Sequence, residues 1–118
     1  MSNLFLHIGY PKTGTTGIQE FLCANRNELL EHDVLYPQTG LVRFSHHLFP
    51  WILTEDKRAA SDLTKQEIFD QLKKEVAENT CANTLISSEG FVFATDPEEL
   101  QQYFGELFDD IKLIIYLR

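Results

Sequence analysis

The sequence predicts an α/β fold in which helices flank a mostly parallel sheet, and three observations lead to this prediction. Short apolar segments alternate along the chain with segments of helical periodicity. The last apolar segment, residues 111–117, is nearly continuous, as central parallel strands are. A glycine-bracketed loop joins the first apolar segment to the first helical one. The chain has 118 residues, of which 43% are hydrophobic, so it forms at most one domain with a real core.

The first strand is predicted at residues 3–8, which are apolar and are followed by glycine. After the loop, a helix is predicted to run to about Glu31, with its apolar residues near one face: Ile18, Phe21, Leu22 and Leu29. A second short strand is predicted at residues 34–37, which end in proline. These segments begin the alternation of strands and helices.

Residues 41–53 are rich in aromatic side chains and are predicted to form a loop that leads into a short helix over one end of the sheet. Two adjacent histidines cannot share a face of a helix or a strand, so at most one of His46 and His47 would point into a site. Packing or solvent roles for both stay open at this point. No third or fourth ligand at suitable spacing supports zinc.

The second half of the chain carries two clear helix starts. Thr64 and Glu67 have the spacing of a capping box before a helix that ends near Asn79. Asp96 is predicted to cap a further helix, because proline follows it and acidic residues fill the first turn. Strands are predicted at residues 84–87, before the polar Ser88-Glu89-Gly90, and at residues 111–117, before Arg118.

In parallel sheets of this kind, ligands bind at the carboxyl ends of the strands. Three polar groups are predicted to meet at that edge: the loop after the first strand, Ser88-Glu89 and Arg118. The topology, rather than any one motif, brings these groups together.

The loop has the chemistry of an anion site. A strand, a glycine loop and a helix aim backbone N–H groups and a helix N-terminus at a phosphate-like group. Gly9 and Gly14 have the spacing of G-x-x-x-x-G-K-[ST], and Thr16 occupies the Ser/Thr position. Thr15 replaces the lysine, however, and Lys12 lies inside the loop. This pattern suits a shorter anion held without a metal; an ordinary turn with a solvated lysine is the alternative.

Composition excludes several classes of partner. The net charge of −8 argues against nucleic acid or an anionic membrane. No apolar run is long enough to span a bilayer, and no basic segment precedes the first apolar stretch as in a signal peptide. Cys23 and Cys81 are isolated, so we expect buried thiols rather than a disulfide or a metal pair. The predicted location is the cytoplasm.

Pro11-Lys12-Thr13-Gly14-Thr15-Thr16 resembles the 5′-phosphosulfate loop of sulfotransferases that use PAPS (3′-phosphoadenosine 5′-phosphosulfate). The strand from Lys112 to Arg118 is similar to the family strand that ends in an arginine binding the 3′-phosphate. The segments 6–16 and 85–91 are closest to bacterial sulfotransferase-like proteins. The resemblance implies a P-loop-like fold, PAPS as co-substrate and no metal.

The same resemblance implies sulfuryl transfer to a hydroxyl or amine of a small molecule or glycan. Lys12 would stabilise the leaving phosphate, and Thr13 to Thr16 would hold the 5′-phosphate. The base would be Glu89, or else His47 or, failing it, His46. Many cytosolic members carry tryptophan after the two threonines, where this chain has Gly17, so adenine must be held otherwise.

Two other functions stay open: a P-loop nucleotide kinase or NTPase, and a binding module without catalysis. The family also places a second 3′-phosphate ligand, a serine, beyond the arginine, and this chain ends at Arg118. We therefore expect residues 1–118 to be the N-terminal part of one sulfotransferase-like domain, an incomplete sulfotransferase fold. Such a chain would bind the nucleotide weakly or not at all, be inactive alone and self-associate through an exposed sheet edge.

Overall fold

The computed structural model describes residues 2–8, 15–59, 62–92 and 96–115. Within these ranges the chain forms strands and α-helices in alternation, with two short 3₁₀ turns at Lys57–Ala59 and Glu89–Val92. In chain order the elements are β1 (Asn3–His7), α1 (Thr15–Ala24), α2 (Arg26–Glu31), β2 (Val34–Leu35), α3 (Leu48–Leu53), α4 (Lys65–Asn79), β3 (Asn83–Ser87), α5 (Pro97–Gly105) and β4 (Asp110–Ile114).

The four described strands form one parallel sheet in the order β2-β3-β1-β4. β1 therefore lies between β3 and β4, and His7 is in register with Ser87 on one side and Ile114 on the other. On β1, Leu4 and Leu6 are buried, and on β3 so is Ile86. The predicted α/β class with a parallel sheet flanked by helices is confirmed.

The hydrophobic core joins α3, α4 and α5 to the sheet. Phe49, Phe69 and Phe104 form an aromatic triangle with ring centroids 4.9–5.7 Å apart. Gly40 packs against Phe49 and has a φ of 83°, which favours glycine. A Cβ at this position would overlap the Phe49 ring, so a larger residue does not fit. The loop after β2 can therefore pass directly over the core.

The two predicted helix starts are confirmed. Thr64 accepts a hydrogen bond from the backbone N–H of Glu67, whose side chain accepts one from the backbone N–H of Thr64. Asp96 accepts a hydrogen bond from the backbone N–H of Glu98, and Pro97 begins α5. These caps satisfy N–H groups that a helix leaves without intrahelical partners.

The predicted single helix to Glu31 is wrong in two respects. It is broken at Asn25 into α1 and α2. Its predicted apolar face is only partly buried: Leu22 and Leu29 are half-buried, but Phe21 is 64% exposed and Ile18 is exposed, whereas the polar Gln19 is 3% exposed. The reason is that α1 meets the end of β3 through a polar contact, which hydrophobic periodicity cannot predict.

Two predicted strands also differ from the structure. β2 comprises Val34 and Leu35 alone, because beyond them the Tyr36 hydroxyl donates to the Phe44 carbonyl and the chain turns over the core. β4 has β1 as its one strand neighbour among the described residues, and Leu113 is 59% exposed there. The expected burial of this strand on both faces is therefore not observed in residues 110–114.

Two further predictions concern the membrane and the cysteines. Across the described ranges, no helix has both the length and the apolar character needed to cross a bilayer. Cys23 and Cys81 are free thiols, as predicted, although both are only partly buried.

Candidate functional site

The crevice of this sheet lies between β1 and β3. From β1 the chain continues to β2 on one side of the pair, and from β3 it continues to β4 on the other side. Loops that leave neighbouring parallel strands in opposite directions open a crevice at the carboxyl ends of those strands, where ligands bind in such folds. The end of β1, which leads into the glycine loop, therefore lies beside Ser88 and Glu89.

Part of the predicted site falls outside the described residues: Pro11, Lys12, Thr13, Gly14 and Arg118. Thr15 and Thr16 are the first residues of α1, but the structure describes only their backbone and not their side chains. The described residues of the crevice are polar side chains from β1, α1, β3 and the loop after β2. Four of them are at most 4% exposed: His7, Gln19, Ser87 and Ser88.

The Ser87 hydroxyl joins three elements. It shares a 2.7 Å hydrogen bond with Nδ1 of His7 and accepts a 2.9 Å hydrogen bond from the Gln19 amide. Burial lowers the pKa of His7, while the Glu89 carboxylate opposes that shift. Sequence reasoning missed this group; the available signal was a histidine and a serine that end two strands otherwise rich in apolar residues.

His46 is fully buried and acts as a structural residue. Its Nδ1 accepts a hydrogen bond from the backbone N–H of Ser87, so the ring proton lies on Nε2, which donates to the Pro37 carbonyl. Burial lowers the pKa of His46 to about 4. With both nitrogens engaged inside the core, His46 is not available to take a proton from a substrate.

His47 points the other way, toward the crevice. Its Nδ1 is 2.6 Å from the Ser88 hydroxyl oxygen, and its Nε2 is 2.7 Å from the Ser45 hydroxyl oxygen and 3.9 Å from Glu89 Oε2. The imidazole stacks on Trp51, with the ring centroids 5.5 Å apart. The pKa of His47 is lowered, mainly by burial. The Glu89 carboxylate opposes this shift, and Arg58 adds to it.

Glu89 is separated from the end of β3 by Ser88 and begins the turn Glu89–Val92. The backbone N–H of Gly90 donates to the Ser88 hydroxyl, which fixes the serine that contacts His47. The structure thus brings together two of the predicted site residues, Glu89 and His47, as a carboxylate and an imidazole at the crevice. Such a pair can take a proton from a nucleophile.

A cleft of about 600 Å³ has in its wall Trp51, the residue on which His47 stacks. The opposite side is formed by the start of α4 and by Tyr103, and Glu55 and Asp56 add carboxylates. Among the described residues, no group of three or more His, Cys, Asp or Glu side chains is arranged to hold a metal ion. The cleft offers aromatic and polar groups, and it is linked to His47 through the Trp51 ring on which the imidazole stacks.

Comparison with known proteins gives no match. No protein-family model, curated protein or solved structure matches this chain. A function can therefore be argued only from the sequence motifs and from the geometry of the crevice.

Proposed function

We propose that this protein is a PAPS-dependent sulfotransferase, which transfers a sulfuryl group to an acceptor hydroxyl or amine. One observation carries the proposal: the Pro11–Thr16 motif leads from an inner strand of a parallel sheet into α1, and that strand ends beside Ser88, which contacts His47 and precedes Glu89. An anion loop and a proton acceptor at one crevice are what group transfer from a nucleotide requires.

Lys12 is proposed to stabilise the charge that builds on the leaving phosphate oxygen. Backbone N–H groups of Thr13 to Thr16 would hold the 5′-phosphate, and Arg118 the 3′-phosphate. These assignments rest on the motifs. No metal ion is required, because the lysine and the helix N-terminus supply the positive charge.

In the proposed reaction the acceptor oxygen or nitrogen attacks the sulfur atom of PAPS. The new bond to sulfur forms as the bond between sulfur and the bridging phosphate oxygen breaks, which releases PAP (3′-phosphoadenosine 5′-phosphate). The acceptor proton goes to Glu89 or His47. Glu89 is the preferred base, because it lies just beyond β3, and the sequence resemblance implies a catalytic residue at the end of that strand.

The acceptor is proposed to bind in the cleft beside Trp51. Trp51 and Tyr103 offer a flat aromatic surface there, and Glu55 offers a carboxylate. Asp56 also lines the cleft, but its carboxylate already accepts hydrogen bonds from Arg58. This mixture suits a small hydroxylated molecule or a glycan, which agrees with the acceptor class that the sequence resemblance implies.

Calorimetry with PAP and with ATP plus magnesium tests the nucleotide class. We expect weak binding of PAP and no magnesium-dependent binding of ATP, since Thr15 stands where a triphosphate site has lysine. If ATP with magnesium binds and PAP does not, the result favours a kinase or NTPase instead. Sulfate transfer from labelled PAPS then distinguishes an enzyme from a binding module.

Variants of the loop test the assignment of Lys12 and Thr16. Lys12→Ala should abolish transfer and leave the free energy of unfolding unchanged, while Thr16→Ala should weaken PAP binding by roughly 1–3 kcal/mol. Lys74→Ala is the matched control, because that lysine is 79% exposed on α4. Unchanged PAP affinity in both loop variants would remove the loop from the site.

A further inference from the structure

The Ser87 hydroxyl ties together the two elements that flank the loop segment 9–14 along the chain. His7 is the last residue of β1, Gln19 lies in the second turn of α1, and both bond to the same oxygen. We propose that Ser87 is a positioning residue, which holds α1 against the end of β1 and so determines the affinity for PAP. This inference rests on the proposed function.

Burial makes these bonds consequential. Ser87 is 0%, Gln19 3% and His7 4% exposed, so water cannot replace a lost partner at low cost. Removal of the hydroxyl would leave the Gln19 amide without the acceptor that it now has inside the protein. The side chain of Gln19 would then be driven toward solvent, and α1 with it.

None of the apolar residues of α1 whose side chains the structure describes is fully buried, and Leu22 and Cys23 are only partly buried. Ile18 is 36% and Phe21 64% exposed, so the helix does not fully bury the face that its hydrophobic residues form. A helix held mainly by apolar packing would tolerate the loss of one polar contact. In α1 the buried contact is polar, and its position therefore depends on Gln19 and Ser87.

Ser87 itself is fixed from the opposite side. Its backbone N–H donates to Nδ1 of His46, and its carbonyl accepts from the backbone N–H of His46. His46 is anchored in turn to the Pro37 carbonyl. Because the serine cannot shift to follow a displaced helix, it acts as a rigid reference point for α1.

The test compares Ser87→Ala with Thr84→Val in the full chain. Thr84 lies on the same strand and is also 0% exposed, and its hydroxyl forms no hydrogen bond within the described part of the chain. We expect Thr84→Val to leave PAP affinity unchanged and Ser87→Ala to lower it about tenfold or more. Amide hydrogen exchange in residues 17–24 should be faster in Ser87→Ala alone.

Gln19→Leu removes the same hydrogen bond from the helix side. It replaces Ser87→Ala in the test if that variant does not fold. In a double-mutant cycle, the effects of Ser87→Ala and Gln19→Leu on PAP affinity should be clearly less than additive. Equal PAP affinity in wild type and both variants, or unchanged exchange in residues 17–24, would overturn the inference. If wild type fails to bind PAP, the proposed function fails, and the exchange measurement still decides whether Ser87 holds α1.

Discussion

His46 and His47 are neighbours in the chain and occupy opposite environments. His46 lies in the core as a neutral ring between two backbone groups, and His47 lies between two serine hydroxyls beside Glu89. Adjacent side chains leave the backbone in different directions, so the prediction that at most one of them would face a site followed from geometry. Which histidine does so was decided by the packing of the loop on Ser87.

Burial of neutral His46 makes stability depend on pH. The folded pKa is about 4 against 6.5 for the ordinary value, so between these pH values the unfolded chain binds more protons. The contribution of His46 is therefore complete above pH ~6.5 and is lost as the pH falls toward 4, by on the order of 3 kcal/mol. Urea unfolding between pH 4.5 and 7.5 measures this.

His46→Gln should flatten the pH dependence only in part, because burial also lowers the pKa of His7 and of His47. The matched control is His32→Gln, the same substitution at an exposed histidine outside the core. A pH slope that is identical in His46→Gln and wild type would contradict the neutral buried ring.

The roles of Glu89 and His47 can be separated by turnover. If Glu89 is the base, Glu89→Gln should lower kcat by ~10²–10⁴-fold with little change in PAP affinity. His47→Ala should then act mainly on the KM for the acceptor, since its ring stacks on Trp51 in the cleft wall. The reverse pattern would move the role of base to His47.

At the scale of elements, caps and periodicity were accurate where a helix packs through apolar contacts. In α4, the predicted apolar residues Ile68, Phe69 and Leu72 are buried. In α1 the same reasoning failed, because Gln19 forms the buried contact. A hydrogen bond between residues 68 positions apart leaves no periodic trace in the sequence.

Thr64→Ala should lower the free energy of unfolding by about 0.5–2 kcal/mol, because the first turn of α4 loses its side-chain acceptor. Thr64→Ser retains the hydroxyl and is the matched control. Chemical denaturation of the two variants checks the prediction, which an equal loss in both would contradict.

At the scale of the whole molecule, β4 is the longer of the two edge strands of the described sheet, the other being β2. Leu113 is 59% and Ile115 46% exposed, and β4 pairs with β1 alone among the described strands. Edge strands with exposed apolar side chains favour pairing with another chain. Self-association through this edge of the sheet stays a prediction.

Leu113→Lys should reduce self-association, because a charge on the edge strand disfavours contact with a second copy. Sedimentation velocity over a range of concentrations measures it, with Lys73→Glu, an exposed change on α4, as control. A wild-type protein that is monomeric at every concentration would contradict the prediction.

The sequence by itself determined the class of fold, the two helix starts and the meeting of Ser88-Glu89 with the end of the first strand. Each of these depends on local chemistry or on the rule that parallel strands end at one edge. Tertiary structure alone decided that His46 is structural, that His47 contacts Ser88 and lies near Glu89, and that Ser87 anchors α1 through Gln19. The physical reason is that buried hydrogen bonds join residues far apart in the chain, and a polar residue shows its partner only once the chain has folded around it.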